Sequence, residues 1–140
     1  MAVDANKQIV NRMLEAFSTG NEALVDELVD IGHVDETPFP GTTADKHGLK
    51  TQIQAVRRAF PDVKFALEKV IAEGDQVAFR WRMEGTQKGP LLGHNASNKK
   101  FVHHGNDFVT IRDGKIVGHH SADNIRDLLA TLGLAPEPRT

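Results

Sequence analysis

Two pairs of acidic and histidine residues flank the dipeptide Asp113-Gly114, which favours a tight β-hairpin turn. In a regular hairpin with this two-residue turn, Asp107 lies opposite His120 and His104 lies opposite Asp123. Side chains alternate along a strand, so the two pairs point to opposite faces of the hairpin. Only one face can meet a bound molecule, unless a bulge shifts the register.

The chemistry that these residue types predict is proton transfer. A carboxylate held in an apolar pocket has a raised pKa, so it can remove a proton from a carbon acid or an activated hydroxyl group near neutral pH. The alternative for Asp107 and His120 is a solvated ion pair across two strands, which contributes little. The alternative for Asp123 is a cap at the start of the last helix, where aspartate is common.

Metal binding is not predicted, although the sequence contains seven histidines. Neighbouring residues of a strand point to opposite faces, so the doublets His103-His104 and His119-His120 each offer one ligand per face. The sequence has no His-x-His or His-Glu-x-x-His segment. A set of two histidines and one carboxylate, drawn from both strands, is the alternative. No organic cofactor is predicted, because glycine-rich phosphate-binding loops are also missing from the sequence.

The elements that must position these residues begin with helices. Apolar residues recur at helical spacing in three segments before Pro61, so we predict that this part of the chain is helical. The second helix is predicted to run through Val29 and to stop at Gly32, and an irregular loop at residues 35–44 follows it.

Strands are predicted after Pro61, because apolar and polar residues alternate there. Trp81 lies on the apolar face of one such strand, either as part of the core or as a platform that stacks on a ligand. A short last helix is predicted over residues 125–132. Helices followed by an antiparallel meander predict an α+β fold, with a cleft for a small molecule between the curved sheet and the helices.

Length and composition restrict the class of protein. At 140 residues the chain has the length of one domain, so we predict a single domain over residues 1–140. The net charge of −2 lacks the positive excess that a nucleic-acid partner requires. Cysteine is absent, as in many proteins of reducing compartments, and no segment has the character of a secretion signal or a membrane span. We therefore expect a cytoplasmic protein without a membrane partner.

Short segments occur in a specific order along the chain. They are Arg58-Ala59-Phe60-Pro61-Asp62, Ile71-Ala72-Glu73-Gly74-Asp75-Gln76-Val77, Gly85-Thr86 followed by Gly89 and Gly93, Asp113-Gly114-Lys115-Ile116, and Leu132-Gly133. In this combination they resemble the SnoaL-like family of polyketide cyclases, nearly end to end. That family belongs to a larger group of folds that includes nuclear transport factor 2 and ketosteroid isomerase.

The resemblance implies a nuclear transport factor 2-like (NTF2-like) cone, with N-terminal helices packed on a curved antiparallel or mixed sheet and a short C-terminal helix. It also implies a homo-oligomer, either a dimer or a tetramer. Cyclases of the family use an aspartate of the final strand to remove a proton between two carbonyls, and the carbanion then closes a ring by aldol attack. Counting back from Leu132-Gly133 places Asn124 at that position, and a shift of one residue places Asp123 there.

We predict an enzyme that acts on an aromatic polyketide without organic cofactor or metal. The reaction is either cyclisation or, as in related cofactor-independent hydroxylases of anthracycline pathways, hydroxylation with dioxygen. A small-molecule-binding module without catalysis is the alternative from another class. The predicted site residues are of two kinds: Asp107, Asp123 and His120 for catalysis, and Trp81, His104 and Asn124 for contact with the substrate.

Overall fold

The computed structural model describes residues 2–123 and 125–134. Within them the elements follow the order α1 (Ala2–Thr19), α2 (Ala23–Leu28), β1 (Val29–Asp35), α3 (Lys46–Ala59), β2 (Lys64–Glu73), β3 (Gln76–Thr86), β4 (Lys100–Arg112), β5 (Lys115–Ser121) and α4 (Ile125–Thr131). The strands form one curved, open sheet in the order β1-β5-β4-β3-β2. Only β1 and β5 pair in parallel among these neighbours.

The core lies between the inner face of this sheet and the helices. Alternate residues of β3 are buried, as the period of a half-buried strand requires, and they include Phe79 and Trp81. Apolar residues of α1 and α3, such as Val10 and Ile53, complete the core. The prediction of an α+β fold with N-terminal helices, a curved mixed sheet and a short C-terminal helix is confirmed.

The segment after α2 is a strand, so the prediction that helical structure continues to Gly32 is wrong. Helix α2 ends at Leu28, and Val29–Asp35 forms β1. Its β-branched residues favour a strand, but its pairing partner β5 lies more than eighty residues later in the chain. No local pattern can reveal a partner at that distance. The consequence matters for the site, because β1 brings His33 and Asp35 to the buried face.

The hairpin between β4 and β5 begins as predicted. Asp113 and Gly114 both have positive φ, 51° and 74°, as a type I′ turn requires. Ile111 pairs with Ile116, which is the register of a regular hairpin, but Thr110 then pairs with Gly118. Strand β5 therefore has one extra residue at Val117, a β-bulge that moves every later side chain of β5 to the opposite face.

Candidate active site

A cavity of about 270 Å³ lies between the inner face of the sheet and the helices. Its wall is mostly apolar and aromatic, with contributions from α1, α3, α4 and the loop after β1. A few polar side chains interrupt this wall: His33, Thr37, Gln52, Asp107, His119, Ser121 and Asp123. Apolar walls with few polar groups are typical of small-molecule sites.

Three side chains contact the carboxylate of Asp107. Asp107 lies on the inner face of β4 and is 9% exposed. Its Oδ1 accepts hydrogen bonds from Nε1 of Trp81, at 3.0 Å, and from Oγ of Ser121, at 2.8 Å. Its Oδ2 lies 2.7 Å from Nε2 of His119. The carboxylate is therefore fixed in the cavity wall by donors from β3 and β5.

His119 lies between two buried carboxylates. Its Nε2 contacts Asp107, and its Nδ1 lies 3.0 Å from Oδ2 of Asp35, an ion-pair distance at which the ring N–H is not well aligned for a hydrogen bond. Burial alone would lower the pKa of His119, but the hydrogen bond to Asp107, the close contact with Asp35 and the charges of both carboxylates outweigh burial and raise the pKa to about 9. The ring is thus an imidazolium at neutral pH. We call Asp35, His119 and Asp107 the charged row.

Asp35 anchors the far end of the charged row and is 5% exposed. Burial acts to raise its pKa, but contact with His119 and the hydrogen bond from the backbone N–H of Thr37, at 2.9 Å, lower the pKa overall. The Thr37 hydroxyl in turn accepts a hydrogen bond from the backbone N–H of Ser121, at 2.8 Å. Two carboxylates and one imidazolium leave the charged row with a net charge of −1.

Asp123 forms a second contact between a carboxylate and an imidazole. Its Oδ1 lies 2.5 Å from Nε2 of His103, and its side chain is 27% exposed against 7% for His103. The His103 ring packs edge-on against Trp81, with ring centroids 5.8 Å apart. The backbone N–H of Asp123 donates to Oγ of Ser121, which links this pair to the charged row.

The predicted residues divide into those inside the cavity and those outside it. Asp107, Asp123 and Trp81 line the cavity. His120 does not: it pairs with Phe108 on the outer face and is exposed, so the prediction that it lies opposite Asp107 is wrong. The bulge at Val117 is the physical reason, because it brings Ser121 opposite Asp107 and turns His119 inward.

The predicted pairing of His104 with Asp123 is also wrong. His104 lies on the outer face of β4, where its Nε2 is 3.3 Å from Oε1 of Glu68. Its neighbour His103 faces inward and contacts Asp123 instead. Asn124, the third predicted substrate contact, lies outside the described residues.

Four site residues were missed by sequence reasoning: Asp35, His33, His119 and Ser121. The doublet His119-His120 does signal that one histidine faces inward, but the bulge decides which one. Asp35 and His33 alternate inward along β1, a signal that was hidden because the segment fits a helical pattern as well.

Two further properties concern the described part of the chain. No group of three or more histidine, cysteine, aspartate or glutamate side chains in residues 2–123 and 125–134 is arranged to hold a metal ion. In the same residues, no helix combines the length and the apolar character that crossing a membrane requires.

Comparison with known proteins identifies relatives of this fold. TsrD from Streptomyces laurentii superposes with a TM-score of 0.86 at 24% identity, covering 94% of this chain and 97% of TsrD. AclR from Streptomyces galilaeus, described as a candidate hydroxylase, has a TM-score of 0.82 at 22% identity over 96% of this chain and 99% of its own. IdmH from Streptomyces antibioticus, described as a candidate polyketide cyclase, has a TM-score of 0.80 at 26% identity over 92% and 99%.

Curated proteins give no match to this sequence. The superpositions confirm the NTF2-like fold that the resemblance implied. The family description "SnoaL-like polyketide cyclase" matches residues 7–132, which is most of the sequence. The chain therefore belongs to the SnoaL-like polyketide cyclase family.

Proposed function

We propose that this protein is a cofactor-independent enzyme that transfers protons on an aromatic polyketide bound in the cavity. The observation that supports this proposal above all is the position of Asp107, a buried carboxylate in an apolar cavity wall, in contact with an imidazolium. Membership of the SnoaL-like family supports the class of substrate. The roles of individual residues follow from the contacts around the two carboxylates.

Asp107 is the proposed general base. A carboxylate offers about four lone-pair positions, and Trp81, Ser121 and His119 occupy three of them. The remaining position can accept a proton from a carbon between two carbonyls or from a phenolic hydroxyl. The carbanion that forms lies near the positive charge of His119, and this attraction is stronger than in water because Asp107 and His119 are largely buried.

Asp123 and His103 are proposed to give a second proton to the substrate, after which the pair takes up a proton from water and Asp107 releases to water the proton that it accepted. In an aldol ring closure, the carbanion attacks a carbonyl carbon of the same molecule, and the carbonyl oxygen becomes an alkoxide that needs a proton. Asp123 lines the cavity, and its Oδ1 shares a proton with Nε2 of His103, whose ring packs against Trp81. Two acid-base groups with separate partners allow one to take a proton and the other to give one.

Hydroxylation with dioxygen is the second candidate reaction, since the same base would remove the proton of a phenol. One oxygen atom of dioxygen enters the ring and the other leaves as water, which requires a two-electron reductant that is supplied with the substrate in the assay. Product mass separates the two reactions after incubation with a tricyclic methyl ester and with an anthracyclinone. Ring closure conserves mass or loses water, whereas hydroxylation adds one oxygen atom. Both products should disappear in Asp107→Asn. A protein that binds both compounds and returns them unchanged is a binding module, and the proposal would then be rejected.

A homo-oligomer, either a dimer or a tetramer, is also part of the proposal. Val34 and Phe108 are 58% and 53% exposed on the outer face of the sheet, and such apolar groups support association. If this face is buried between subunits, Phe108→Lys should weaken the association, and analytical ultracentrifugation should then give a lower molecular mass for the assembly. An unchanged mass would place the interface elsewhere or leave the protein monomeric.

A further inference from the structure

His33 is a buried polar side chain for which the structure provides no hydrogen bond. It is 3% exposed, on the inner face of β1, and it lines the cavity. Neither Nδ1 nor Nε2 has a hydrogen-bond partner among the described residues. Buried polar groups are nearly always paired, so these two unpaired nitrogens indicate that a bound molecule completes the pairing, once the ring turns to bring a nitrogen to the cavity surface.

His33 also has a defined position relative to the charged row. It lies two residues before Asp35 on β1, and Asp35 pairs with His119 on the adjacent strand. Side chains two residues apart share a face of a strand, so His33 lies next to the groups proposed to transfer protons. A molecule held by His33 therefore lies within the same cavity as Asp107.

We propose that His33 binds an oxygen substituent of the ligand, either a carbonyl or a phenolic hydroxyl, and thereby fixes the orientation of the ligand's rings. This inference rests on the proposed function only for the class of ligand. The neutral ring is suited to both groups, because one nitrogen donates a hydrogen bond and the other accepts one. Aromatic polyketides carry carbonyl and hydroxyl groups along their rings, so the two kinds of oxygen are available.

The surroundings keep His33 neutral. Burial lowers its pKa, and the positive charge of His119 acts in the same direction, although the charge of Asp35 opposes them. A neutral ring without partners loses two hydrogen bonds to water on burial, and an oxygenated ligand restores at least one of them. An apolar ligand of the same shape restores none. His33 should therefore make the cavity selective for oxygenated rings.

Binding of 2-naphthol and of naphthalene to the full chain tests this inference, since the two probes share their rings and differ in one hydroxyl. Trp81 is the only tryptophan, so its indole N–H gives a single NMR signal from the cavity wall. In His33→Phe, the affinity for 2-naphthol should fall about fivefold, as expected for one net hydrogen bond. The affinity for naphthalene should stay within about twofold of the wild-type value, since no hydrogen bond is lost.

His33→Gln is the matched control, because its amide keeps one donor group and one acceptor group. It should retain most of the preference for 2-naphthol, and thermal unfolding should show that both variants are folded. Equal losses for both probes in His33→Phe, or no preference for 2-naphthol in the wild-type protein, would overturn the inference. The inference would also be overturned if His33→Gln bound 2-naphthol as weakly as His33→Phe does. These binding measurements do not require turnover. The absence of enzymatic activity would therefore contradict the proposed function without contradicting the role of His33.

Discussion

Ser121 lies directly opposite Asp107 across β4 and β5, and its Oγ donates a hydrogen bond of 2.8 Å to Oδ1 of Asp107. A regular hairpin would place His120 at this position. The extra residue at Val117 changes the pairing by one, so His119 turns inward and His120 turns outward. One inserted residue therefore determines which histidine of the doublet contacts the buried carboxylate.

Asp107→Asn should reduce turnover about 100- to 10,000-fold, because an amide cannot act as the general base. Asparagine keeps the size of the side chain and an oxygen that accepts from Trp81 and Ser121, so the variant should remain folded. Product formation by mass spectrometry and thermal unfolding measure the two effects. Asp113→Asn at the exposed hairpin turn is the matched control, since asparagine tolerates the positive φ of that residue. Full activity of the Asp107 variant would remove Asp107 from the mechanism.

The stability of the protein should fall as the pH rises through about 9. The pKa of His119 is about 9 in the folded protein and 6.5 in the reference state, so the folded state binds the proton more tightly. The stabilisation is fully present below pH 6.5 and is lost progressively as the pH rises through the folded pKa. At about 1.36 kcal/mol per pKa unit, its upper limit is about 3 kcal/mol.

Thermal unfolding between pH 6 and pH 10 measures this loss, and His119→Gln separates it from the titration of other groups. The variant should show a flatter dependence over this range. Ring nitrogen shifts in NMR spectra add a direct reading: at pH 7.5 the signal of His119 should be that of a cation and that of His33 should be neutral. A neutral His119 at this pH contradicts the description of the charged row.

Asp35→Asn should lower the pKa of His119. The charge of Asp35 and its contact with Nδ1 are among the causes that raise this pKa, whereas burial opposes them. Without the charge of Asp35, only Asp107 counteracts the lowering of the His119 pKa by burial. NMR titration of the His119 ring in the variant should therefore show a midpoint below that of the wild-type protein. An unchanged midpoint would mean that Asp35 contributes hydrogen bonds to the loop at Thr37 but little to the ionisation of His119.

The sequence predicts much of this fold because the decisive patterns are local. Alternation along β3 correctly placed Trp81 on the inner face, and Asp113-Gly114 correctly placed the hairpin turn. The resemblance to the family supplied the overall arrangement. These features depend on a few neighbouring residues, or on motifs whose order along the chain is visible.

The site was only partly predictable because two of its determinants are not local. The identity of the inward histidine depends on the bulge at Val117. Gly118 beside it is a residue type that often marks a bulge, but one glycine does not fix the register of the residues that follow. The contribution of Asp35 depends on a parallel pairing between β1 and β5 over a long sequence separation. Asp107 and Asp123 were predicted to be close to histidines, and each is, but each contacts the neighbour of the histidine that a regular hairpin would provide.

Gly105→Ala should destabilise the protein and displace Trp81. A Cβ atom at residue 105 would lie 2.1 Å from Cζ2 of Trp81, so the indole could no longer lie flat against β4. Overpacking of this kind costs about 1 to 3 kcal/mol, and movement of the ring would also break its hydrogen bond to Asp107. Thermal unfolding and the chemical shift of the indole N–H measure these effects. Gly118→Ala is the matched control, because its Cβ would meet only ordinary contacts, the nearest at 3.7 Å. If both variants unfold at the same temperature and keep the indole signal in place, the close approach of Trp81 to β4 is not what holds Asp107 in the cavity wall.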